Sequence, residues 1–190
     1  MRIKYNAPTV LTFTFLSVLV LILSQTLLPS LRAQWFVIPG KGGFSVGNFR
    51  NWITLVTHVI GHADFNHLIS NFSLILLLGP MLEENYGSLS ILTMIIITAL
   101  ITGVLNILLF PTGLLGASGV VFMMILLSSF TNYGKGEIPL TFILVLILYV
   151  GGEVLNSFNK DNVSHFAHIA GGFCGSLFGF LRDSRQPPQA

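Results

Sequence analysis

A hydroxyl set among small residues, Gly116-Ala117-Ser118-Gly119, runs straight into the apolar segment Val120–Leu127. A serine at the start of a membrane helix lies where backbone can approach closely and where the helix dipole favours a developing negative charge. Alone, the tetrapeptide is equally a packing seam of small residues. Its chemical meaning depends on polar residues near the starts of two other apolar segments. His67 and Asn71 are four apart and share a helical face, and His168 lies near the beginning of the last segment. A neutral imidazole within hydrogen-bond reach makes a serine a nucleophile. Acyl transfer also needs donors for an oxyanion, and the Asn71 amide, a His67 ring nitrogen and the Ser118 backbone N–H are candidates. No carboxylate is obviously placed to orient His168. Asp161 lies outside the last segment, and Glu153 lies late in the fifth, to line a cavity or reach the interface. A Ser/His dyad rather than a triad is therefore the simplest arrangement.

These residues need apolar helices to carry them. Of 190 residues, 53% are hydrophobic and only 8% charged, the balance of a polytopic membrane protein rather than of a soluble core. The net charge of +2 comes from scattered basic residues that form no nucleic-acid-binding stripe. Six apolar segments are expected to form an all-α bundle: Thr9–Leu28, and about Asp64–Leu82, Leu89–Leu109, Gly116–Ser129, Ile138–Phe158 and Ser164–Leu181. The first is read as a retained helix rather than a cleaved signal, because its apolar run exceeds a typical signal core. The fourth is short for a span, and so belongs among its neighbours rather than in lipid. The whole chain, 1–190, reads as one transmembrane domain. A polar-aromatic stretch at about 29–51, with Trp35, Phe36, Phe44 and Arg50, suits the membrane interface. Arg2 and Lys4 favour an inside amino terminus and, with six spans, inside termini at both ends.

That topology puts the beginnings of the second, fourth and sixth spans at one depth below the outer surface. Asp64 is the expected N-cap of the second. In the sixth, His168, Gly171, Gly172, Gly175 and Gly179 fall on one side, a stripe that lets the helix press against a neighbour. If that neighbour is the fourth helix, Gly119 supplies the matching gap and His168 reaches Ser118. His58 and His62 read as interfacial, Glu83 as a helix-end hydrogen-bonding residue, Glu84 as solvated and Cys174 as a small packing residue. No HExxH occurs and intramembrane carboxylates are few, so no metal site is expected.

In this arrangement the chain resembles the rhomboid intramembrane serine proteases in their minimal six-helix form. The residues that carry the likeness are His62-Ala63-Asp64-Phe65-Asn66-His67 with Asn71, Gly79-Pro80-Met81-Leu82-Glu83, Gly116-Ala117-Ser118-Gly119, and Ala167-His168-Ile169-Ala170-Gly171 with Gly175. They lie in the family's order, from about Trp52 to Phe180. The resemblance implies Ser118 as nucleophile, His168 as general base, and His67, Asn71 and the Ser118 amide as the oxyanion hole. It implies cleavage of transmembrane segments of other proteins near their outer ends, with no metal or cofactor. It also implies substrate access by way of the second and fifth helices and a loop over the site.

Two positions depart from the pattern. Trp52 is followed by Ile53, with Arg50 two residues before it, where the family often has Trp-Arg. Phe122 stands where relatives often have tyrosine, which keeps a ring to stack beneath His168 and removes a phenolic hydrogen bond. Two other function classes use similar parts: a non-catalytic binder or chaperone of membrane helices, and a small transporter that relays protons through histidines. The presence of both Ser118 and His168 argues against the first, and the second leaves the serine turn unexplained.

Overall fold

The computed structural model describes residues 3–130, 137–156 and 164–183. Their regular structure is helical: α1 (Pro8–Gln25), α2 (Leu31–Trp35), α3 (Phe49–Thr57), α4 (Phe65–Tyr86), α5 (Ser88–Leu109), α6 (Ser118–Ser128), α7 (Leu140–Val145), a π-helical turn (Leu146–Val150), α8 (Gly151–Asn156) and α9 (His165–Asp183). An isolated antiparallel bridge pairs Ile38 with Leu114. The chain forms an all-α bundle of a polytopic membrane protein. α1, α4 and α5 are each long and apolar enough to cross a bilayer, whereas α6, Leu140–Leu155 and His165–Leu181 are shorter apolar helices. The end of the expected fifth segment, through Phe158, lies outside the described residues, as does Asp161.

Local chemistry sets the helix starts. Asp64 caps α4 through its side chain, which accepts from the His67 amide at 2.8 Å, as expected. α1 begins with Pro8, a good first helical residue, but its preceding Ala7 has no side chain to cap with. Glu83 fills that role from α4. Its buried carboxylate accepts from the amides of Thr9 at 2.8 Å and Val10 at 3.0 Å. Glu83 thus serves a helix end, and the end belongs to α1. Glu84 beside it is exposed.

The short α6 is the centre of the bundle. From Val120 to Leu127 every side chain except Phe122 is buried. Its packing against α9 is the most extensive of any helix pair among the described residues. The glycine stripe is the cause. A Cβ on Gly171 would lie 2.0 Å from the Gly119 carbonyl oxygen, and one on Gly175 2.2 Å from that of Met123. Backbone therefore meets backbone along this seam, at a separation no larger residue permits.

Between α1 and α4 the chain folds into α2, α3 and their loops. Arg50 lies 5.2 Å over the Trp35 ring, and Trp52 meets Phe44 edge-on while its indole N–H donates to Val46 at 2.9 Å. These contacts anchor the segment around Arg50 and Trp52. The fifth apolar segment is the most open part. Phe142 is buried, but Leu148 and Leu155 are 70% and 72% exposed.

Candidate active site

Gly116, Ala117 and Ser118 form the turn into α6. Gly116 has φ +115°, which an L side chain rarely adopts, and its amide donates to the His58 carbonyl at 2.9 Å. The Ile38–Leu114 bridge holds the approach to this turn. At Ser118 the helix starts, so its own amide N–H has no carbonyl one turn earlier within the helix.

The start of α4 lies against the same turn. A Cβ on Gly116 would be 2.7 Å from His67 Nε2 and 3.8 Å from Asn71 Nδ2, so both side chains face this backbone. Asn71 is buried and its amide donates to His62 Nε2 at 3.1 Å, while His62 Nδ1–H donates to the Ile60 carbonyl at 3.1 Å. These partners assign the His62 tautomer. An amide carries two hydrogens, so Asn71 keeps one beyond that bond.

α9 brings His168 from the other side. Its ring stacks on Phe122 with centroids 4.5 Å apart and planes 5° from parallel. Phe122 is four residues after Ser118 and shares its helical face, so the imidazole lies on the Ser118 side of α6. The close approach follows from Gly171 against Gly119, with Gly119 in turn facing the Ala167 carbonyl. His168 is buried and Ser118 half-buried. Ser118, His67, Asn71, Gly116, Gly119, Phe122, His168 and Gly171 are thus gathered toward one end of α4, α6 and α9, whereas Gly175 packs on Met123 in mid-helix and Glu83 sits at the other end of α4.

Three expectations need correction. His58 and His62 are not interfacial: each is 1% exposed. His58 Nδ1–H donates to the Thr54 carbonyl at 3.1 Å, and its Nε2 lies 3.4 Å from the Thr102 hydroxyl. Burial pushes the pKa of each down to about 4, and the backbone hydrogen bonds only partly oppose that. The third correction concerns Glu153, which meets the very histidine that lacked an obvious carboxylate. Its Oε2 accepts from His165 Nδ1 at 2.6 Å and lies 2.8 Å from His168 Nδ1.

Glu153, His165 and His168 offer donor atoms all within 4.8 Å of one another. Ligands about 2.0 Å from a tetrahedral zinc ion stand about 3.3 Å apart. At 2.6 Å the His165 nitrogen is set as a hydrogen-bond partner of Glu153 and at 2.8 Å the His168 nitrogen as an ion-pair partner, instead of as a metal shell.

Residues 50–185, more than half of the chain, match the family described as Rhomboid domain. Among curated proteins, the chain is 25% identical over 168 residues to Rhomboid-like protein 11, chloroplastic, of Arabidopsis thaliana, covering 80% of this chain and 60% of that one. It is 23% identical to Rhomboid protease GlpG of Haemophilus influenzae, over 66% of this chain and 67% of the relative. It is 34% identical to Rhomboid-related protein 1 of Caenorhabditis elegans, over 63% of this chain and 37% of the relative. The chain therefore spans well under two thirds of some of the relatives it matches. Motif order, helical bundle and family match agree, and the chain belongs to the rhomboid family.

Proposed function

We propose that this protein is an intramembrane serine endopeptidase, with Ser118 as nucleophile and His168 as general base. The observation that carries the reading is the stacking of the His168 ring on Phe122, on the helical face that bears Ser118. His168 Nε2 takes the Ser118 Oγ proton as the oxygen attacks the scissile carbonyl carbon. The carbonyl electron pair moves onto oxygen, and His67, Asn71 and the Ser118 amide stabilise the resulting anion. Collapse of this intermediate expels the amine, which takes the proton back from His168. Water then repeats the sequence on the acyl-enzyme and frees Ser118.

The substrates are transmembrane segments of other proteins, presented in the bilayer. Residues 1–190 act as one domain without metal or cofactor. The site opens to the outer face of the cell membrane, and both termini are inside, as Arg2 and Lys4 favour. The deciding test is cleavage of a single-span reporter by the purified protein. Ser118→Ala is expected to abolish cleavage while expression and thermal unfolding stay unchanged, and a fluorophosphonate probe is expected to label Ser118 alone. Normal cleavage by Ser118→Ala ends the protease reading.

A further inference from the structure

The fifth apolar segment contributes a charged side chain to the neighbourhood of His168. An ionisable group in a membrane helix is costly unless it is paired, and its partner points to its use. Leu148 and Leu155 on this segment turn outward, while Glu153 turns inward, just past the π-helical turn Leu146–Val150. Such a turn departs from the α-helical spacing and reassigns which residues face the bundle. The Glu153 carboxylate is only 15% exposed, with one oxygen against two imidazole nitrogens: His165 Nδ1 at 2.6 Å and His168 Nδ1 at 2.8 Å.

We propose that Glu153 is a positioning residue for His168, so that the site works as a Ser118–His168–Glu153 triad in which His165 shares the carboxylate. This rests on the protease reading above. An imidazole has two nitrogens, and only the one without hydrogen can accept the serine proton. A carboxylate against Nδ1 keeps the hydrogen there and leaves Nε2 as the acceptor. When Nε2 takes the Ser118 proton, the ring becomes an imidazolium, and the negative charge 2.8 Å from Nδ1 stabilises it until that proton passes to the leaving amine. Glu153 gives up and gains no proton. Phe122 beneath the ring and Glu153 at its edge then fix two different degrees of freedom, tilt and in-plane rotation.

The competing role for Glu153 is mechanical: through His165 it would merely clip α8 to α9. Steady-state cleavage of the reporter in detergent micelles separates the two. Glu153→Gln is expected to lower kcat roughly 10- to 100-fold with KM within about twofold, less than the ~10⁴-fold loss from the same carboxylate-to-amide change in a fully committed triad, because the Glu153 carboxylate is shared with His165. His165→Gln, which removes the clip and leaves Glu153 to His168, is expected to keep at least half of kcat. Equal losses in the two variants, or an unchanged kcat in Glu153→Gln, overturn the proposal. ¹⁵N-histidine NMR of the otherwise native Ser118→Ala protein gives a readout that does not depend on either variant folding. His168 is expected to carry its hydrogen on Nδ1, and an Nε2–H tautomer overturns the role of Glu153. Cleavage persisting in Ser118→Ala rejects the protease reading itself, whereas an inactive Ser118→Ala beside a fully active Glu153→Gln rejects only this inference.

Discussion

The two sides of His168 are built on different principles. Toward α6, α9 closes backbone to backbone through Gly119, Gly171 and Gly175, with no side chain able to rearrange between them. Toward the fifth segment, the contacts are single side chains: Glu153 at the imidazoles, and Tyr149 edge-on to Phe122 with centroids 6.1 Å apart. One wall is fixed by what has been left out, the other by what reaches in. A wall without side chains fixes the separation of the α6 and α9 backbones. A wall of single long side chains on an interrupted helix has no such backbone seam to hold it.

The comparison is most severely tested at Gly171. Gly171→Val puts branched carbon where even a Cβ would stand 2.0 Å from the Gly119 carbonyl. The helices must separate, and we expect a loss of about 3 kcal/mol or more, at the upper end of overpacking costs, with no measurable cleavage. Thermal unfolding in detergent and reporter cleavage check this. Retained activity would mean that the seam is looser than its geometry.

A smaller effect is expected from acid, and again on the packed side. His58 and His62 are held neutral by burial, with pKa about 4 against about 6.5 when exposed in the unfolded chain. Between those values the unfolded chain binds more protons, so stability is full above about pH 6.5 and falls as pH drops toward about 4. Unfolding temperatures measured across this window should show the slope, and His58→Gln should flatten it in part. The smallest effect belongs to the open side. Leu148→Ala, at a position 70% exposed, should change stability by less than about 0.5 kcal/mol and leave kcat unaltered. A penalty there as large as that of Gly171→Val would erase the distinction between the two walls.

Much of the packed side is legible in the amino-acid order because it is local or periodic. The Asp64 cap, the His67–Asn71 pair and the glycine stripe each follow from helical spacing, and the shortness of the fourth apolar segment already implies its burial. Glu153 escapes this reasoning because the π-helical turn intervenes before it, so α-helical periodicity no longer says which way it points. His58 and His62 escape because they lie between helices, where burial comes from distant chain. Thr102 on α5 meets His58 from 44 residues away, and Asn71 on α4 meets His62 from nine residues away. The hydroxyl-free ring of Phe122 is the converse case. Its stacking on His168 depends only on shape and needs no phenolic hydroxyl.

Glu83 bears on how much of the chain can be cut away. The family match begins at residue 50, well beyond α1. Yet the two amides that neutralise this carboxylate's demand for hydrogen belong to Thr9 and Val10. A truncation designed on the recognisable stretch alone would take away two of this carboxylate's hydrogen-bond donors and the helix that covers it. The first helix is therefore a counterpart that the remainder cannot shed for free, even though family likeness passes it by.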